Sequence, residues 1–68
     1  MPNVGMLRSK MDETGMTVVS IAEKSGILRE TLYNRLSGKS DFKASEIAAL
    51  TKVLHLTKRE RDDIFFGE

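Results

Sequence analysis

Sixty-eight residues with no cysteine lie near the lower size at which a core holds without a disulfide or metal staple. With a formal net charge of +1, no gross basicity announces nucleic acid, and no apolar run approaches the ~20 residues of a membrane-spanning helix. With 40% hydrophobic and 31% charged residues, Pro2 as the only proline and little strand-like alternation, the chain is expected to be one all-α unit over 1–68, in a reducing cytoplasm.

Five helices are predicted in chain order. Val4, Leu7 and Met11 recur at helical spacing ahead of Gly15, which places a first helix near 3–13. Thr17 caps a second helix that faces inward through Val18, Ile21 and Ala22 and stops at Gly26. A third spans 28–37 and closes at Gly38. A fourth spans about 44–54, with an apolar stripe of Ile47, Leu50, Val53 and Leu54. Thr57 and Glu60 form a capping-box pair for a fifth helix, closed by Ile64, Phe65 and Phe66. Met6, Met11 and Met16, at a spacing of five, cannot form one stripe and are expected as adaptable core filler. His55, alone of its kind, falls where the fourth helix should stop, in a left-handed position. The run Glu60, Asp62, Asp63 alternates with arginines and is expected to be a solvated face. Phe65 should seal the core and Phe66, about 100° around the helix, should be left partly exposed for a dimer contact.

The third helix carries the functional signal. Leu32 and Leu36 share one side; Arg29, Tyr33 and Ser37 form a row on another, with Glu30 and Asn34 beside it. Gly26 lies two residues before that helix, so the two helices must cross steeply, as in a helix-turn-helix. Between 29 and 43, Arg29, Arg35, Lys39 and Lys43 face only Glu30 and Asp41, a mild basic bias.

The stretch IAEKSGILRETLYNRLSGK resembles the helix-turn-helix of the Cro/CI (XRE) repressor family. Ile21 and Ala22 match its apolar-alanine pair, Gly26 its turn glycine, Ile27 its buried aliphatic, Leu32 its mid-helix anchor and Gly38-Lys39 its following loop. DFKASEIAALTKVLHLTKRERDDIFF is similar to the later helices of phage-type members from Gram-positive hosts, so the likeness covers about 4–66. It implies a compact five-helix, lambda-repressor-like domain with its helix-turn-helix at about 17–37. It further implies a transcriptional regulator of phage or prophage type that binds a pseudo-palindromic operator in double-stranded DNA, as a weak homodimer stabilised on the DNA.

In that frame the third helix enters the major groove, with Arg29 contacting guanine and Asn34 adenine. Tyr33 touches a thymine methyl or a phosphate; Glu30 accepts from cytosine or repels phosphates. Thr17 and Val18, at the start of the second helix, meet the backbone, and Lys39 and Lys43 hold flanking phosphates. Two residues depart from the family. Leu28 stands where Ser or Thr usually caps the recognition helix; it is expected in the core, the alternative being a thymine-methyl contact. Arg35 replaces an aliphatic residue, with Leu36 taking over the packing and the arginine stem lying along the core edge.

A rival assignment is a protein-interaction module on the same fold, antitoxin-like or anti-repressor, which the near-neutral charge favours. An enzyme is not expected: no nucleophile–His–acid set, paired metal ligands or phosphate loop occurs. No cofactor, metal, membrane or small-molecule ligand is implied.

Overall fold

Local capping decides where each helix begins. In the computed structural model, which describes residues 2–67, the helices are α1 (Val4–Thr14), α2 (Val18–Ser25), α3 (Arg29–Leu36), α4 (Ala44–Val53) and α5 (Lys58–Phe65). Met1 and Glu68 lie outside the described residues. Asn3 caps α1 by accepting the Met6 amide, Thr17 caps α2 through Ser20, and Thr57 and Glu60 close the α5 capping box from both sides. α4 starts differently. Lys43 has no side-chain acceptor, so the hydrogen bond there runs the other way, from the Lys43 amide to Glu46 Oε1 at 2.9 Å.

The helix ends follow equally local rules. Gly26 leaves α2 at φ 76°, in the left-handed region that costs glycine nothing. His55 leaves α4 at φ 53° and is the one non-glycine with positive φ among the described residues. Its amide donates to Lys52 O and the next amide, of Leu56, donates back to Thr51 O at 2.9 Å, which makes a Schellman ending with histidine in the glycine position. The histidine thus sits where the sequence predicts.

Packing draws one fully buried side chain from every helix: Leu7, Ile21, Leu32, Leu50 and Ile64. Met11, Ala22, Ile27, Leu36, Leu54, Leu56 and Phe65 complete the buried core, with Met6, Met16, Val18, Ile47 and Val53 packed at its edge. Phe42, from the α3–α4 connection, meets Phe65 edge-on with centroids 5.2 Å apart. The Cα radius of gyration, 10.6 Å, equals the compact limit of about 11 Å for this length. Truncating one central leucine typically costs about 2–5 kcal/mol. A domain of this size holds only about 3–10 kcal/mol in total, so each helix depends on the other four.

Polar links tie α1 to α5. The Asn3 amide donates to Ile64 O at 2.6 Å, and Lys10 of α1 pairs with Glu60 of α5. That hydrogen bond holds the Glu60 carboxyl below its ordinary range and the Lys10 ammonium above its own. Glu60 is therefore half-buried and engaged, not part of a solvated run; Asp63, by contrast, is exposed. No helix among the described residues is long and apolar enough to cross a membrane.

Candidate nucleic-acid interface

α3 is held from one side and open on the other. Leu32 and Leu36 are buried, as their four-residue spacing predicts, and Ile27 plugs the turn that precedes the helix. The Ile27 amide reaches back to Ala22 O at 3.1 Å, while Ser25 Oγ donates to the same carbonyl. These bonds fix where α3 starts.

A third fastening was not foreseen from the sequence. Arg35 does not end in solvent beyond the core edge. Its Nε and Nη2 donate to the two Glu46 oxygens at 2.8 and 3.2 Å, and Nη1 donates to Ser40 Oγ. The two side chains are only 12% and 11% exposed. The Arg35 guanidinium holds the Glu46 carboxyl below the usual carboxylate range, helped by the Lys43 amide. One carboxylate therefore joins α3, the α3–α4 connection and the start of α4. Nothing in helical periodicity announces a pair eleven residues apart; the only local hint is an acid in the first turn of α4.

On the open side the predicted readers come together. Arg29 and Glu30 are exposed, Tyr33 is 47% exposed and Asn34 is half-buried, all on α3. Neither Asn34 nor Tyr33 uses its side chain in a hydrogen bond among the described residues; only their backbone carbonyls are engaged, that of Tyr33 by the Ser37 amide and that of Asn34 by Ser37 Oγ and the Lys39 amide. Arg29, Lys39 and Lys43 are exposed and enter no ion pair among the described residues. Thr17 is exposed and serves as the α2 cap, whereas Val18 is half-buried against the core and leaves only its backbone available.

Comparison with family models, with curated proteins and with solved structures returned no match.

Leu28 corrects the sequence expectation. It is 76% exposed, not buried, and makes no cap, so α3 begins without a side-chain acceptor for its first amides. The four-residue step back from Leu32 misled because Leu28 precedes the helix, at φ −59° and ψ 139°, and helical spacing does not carry across that point. Leu28 instead stands between two surface depressions. One, of about 440 Å³, is lined by Thr31, Arg35, Lys43 and Glu46; the other, of about 430 Å³, by Val19, Ala22, Glu23 and Arg29.

Away from this face, Lys24, Lys52 and His55 rim a depression floored by Met16 and Val53. Both lysines lie in the last turns of their helices, where the helix dipole favours cations, which accounts for them without a ligand. Among the described residues no group of three His, Cys, Asp or Glu side chains could hold a metal ion.

Proposed function

We propose that the chain is a sequence-specific DNA-binding regulator of the Cro/CI kind, in which α2, its turn and α3 act as a helix-turn-helix within a lambda-repressor-like domain. The observation that carries this is the division of α3. Leu32, Leu36 and the Arg35–Glu46 pair fasten it, while Arg29, Tyr33 and Asn34 present unengaged polar groups on the other side. Rigid placement of free donors on a short helix is what base-edge recognition in a major groove requires.

Arg29 and Asn34 are the base readers. Tyr33 and Glu30 adjust selectivity, and Thr17, the Val18 amide, Lys39 and Lys43 take phosphates. Phe66, 63% exposed beside a shallow hollow lined by Ala44, Ile47, Ala48 and Arg61, supplies the dimer contact. A symmetric pair places two α3 helices about 34 Å apart, one turn of DNA, so the operator is a pseudo-palindrome. Regulation is by occlusion of a phage or prophage promoter in the host cytoplasm. Catalysis, cofactors and small-molecule ligands have no part in it.

The net charge of +1 favours a second reading, a protein-interaction module that docks through the same α3 face. Selection from a random duplex library at about 0.15 M salt, near physiological ionic strength, separates the two. Recovery of a pseudo-palindrome is the expected result. A folded protein that enriches no sequence removes the DNA-binding proposal in favour of a protein partner.

A further inference from the structure

Resting on the DNA-binding proposal, we infer that Leu28 is a specificity-determining residue that reads the 5-methyl group of a thymine at the edge of each half-site.

Leu28 is the most exposed large hydrophobic residue among the described residues, at 76%. It does no work in the fold: its side chain neither packs in the core nor caps α3, at a position where Ser, Thr, Asp or Asn would stabilise the helix. Its methyl groups are free for a ligand. They stand immediately before Arg29, at the N-terminal end of α3, the end that points toward base edges in a helix-turn-helix.

The surroundings select the ligand. The rims of the two flanking depressions carry Glu23, Arg29, Thr31 and Lys43. Glu46, the other acid nearby, is committed to Arg35. Among the described residues lining the two depressions, Val19, 38% exposed, is the one other exposed large hydrophobic residue, so the protruding apolar surface is small. An amphipathic helix from a protein needs anchors over two turns, which so small a patch cannot receive. A single methyl group on a polyanion suits it: one apolar contact, with the exposed cations Arg29 and Lys43, which enter no ion pair among the described residues, on either side for phosphate or guanine. In the major groove only the thymine 5-methyl offers such a target, and apolar side chains discriminate it from cytosine.

The test removes that methyl alone. In the operator recovered by selection, each thymine is replaced in turn by deoxyuridine, and binding is measured for the wild type, Leu28→Ala and Leu28→Val. One thymine per half-site should weaken wild-type binding about fourfold when demethylated, the transfer value of one buried methyl. Leu28→Ala, which alters both subunits of the dimer, should lose about fourfold per half-site on the thymine operator, about sixteenfold in all, and show no further loss on deoxyuridine. Leu28→Val, which keeps two methyl groups, should retain part of the preference. Thermal melts of both variants check that the fold is kept, as expected for an exposed position.

If deoxyuridine is tolerated at every position while the operator is still preferred, or if Leu28→Ala keeps the full penalty, Leu28 is not the reader although the chain still binds DNA specifically. If the folded protein recovers no operator at all, the inference falls together with the DNA-binding proposal, and Leu28 becomes a protein contact.

Discussion

The turn that sets α3 against α2 can be tested through two glycines that should respond with opposite signs. Gly26 has φ 76°, and a Cβ built on it meets no heavy atom within 4 Å. The cost of Gly26→Ala is therefore conformational alone: about 1–2 kcal/mol for an L-residue in the left-handed region. Reduced freedom of the unfolded chain offsets about 0.4–1 kcal/mol of that. The net is about 1 kcal/mol of destabilisation, which in a domain of this size lowers Tm by roughly 4–8 °C. Gly26→Asn should lose less, because asparagine tolerates this region. Gly5 lies inside α1, has no positive φ, and a Cβ there would sit 3.6 Å from Asn3 Oδ1, an ordinary contact. Gly5→Ala should raise Tm, by up to about 1 kcal/mol of added stability. Thermal melts followed by circular dichroism decide both. A Gly26→Ala variant as stable as wild type would mean that the turn does not leave α2 through a left-handed residue, and the placement of α3 would be wrong.

Four further outcomes are expected. Arg29→Ala should leave Tm nearly unchanged, since the side chain is exposed and unpaired among the described residues, but should remove operator preference by about 1–3 kcal/mol per half-site in competition binding. Lys39→Ala should weaken all sequences alike and shallow the salt dependence of binding by about one counterion in a titration across ionic strengths. The Glu46 carboxyl is lowered from its ordinary value of 4.5 by the Arg35 hydrogen bonds, so its contribution is complete above that pH and is lost as acid protonates it in the fold. Glu46→Gln should therefore be less stable than wild type at pH 7 and should lose less on moving to pH 3, by urea unfolding at each pH. Phe66→Ala should keep the fold and weaken self-association in sedimentation equilibrium; an unchanged association constant would place the dimer contact elsewhere.

Where helices start and stop is written in the chain. Thr17, Gly26, Thr57 with Glu60, and His55 act on amides and carbonyls within four residues of themselves, so short-range spacing suffices to find them. The core was legible for the same reason. Within single helices the buried residues recur at helical spacing, as Leu7 with Met11 and Leu32 with Leu36 do, and five amphipathic helices in a chain this short have only one another to pack against. The division between Phe65, buried, and Phe66, exposed, also follows from the 100° step between neighbours on a helix.

Tertiary structure alone decided three things. Arg35 found Glu46 and Ser40 because α3 and α4 both pack against α2, which brings their ends within reach in a way that no local period encodes. Glu60 left the solvated face because α5 docks beside Lys10 of α1. Leu28 was turned outward because the chain between Gly26 and Arg29 is not helical, so the side to which its Cβ points depends on the turn and not on the leucine four residues later. A sequence specifies what lies within one helical turn through hydrogen bonds of fixed reach. What faces what between helices waits on how buried side chains settle against each other, and the character of the α3 surface was set at that level.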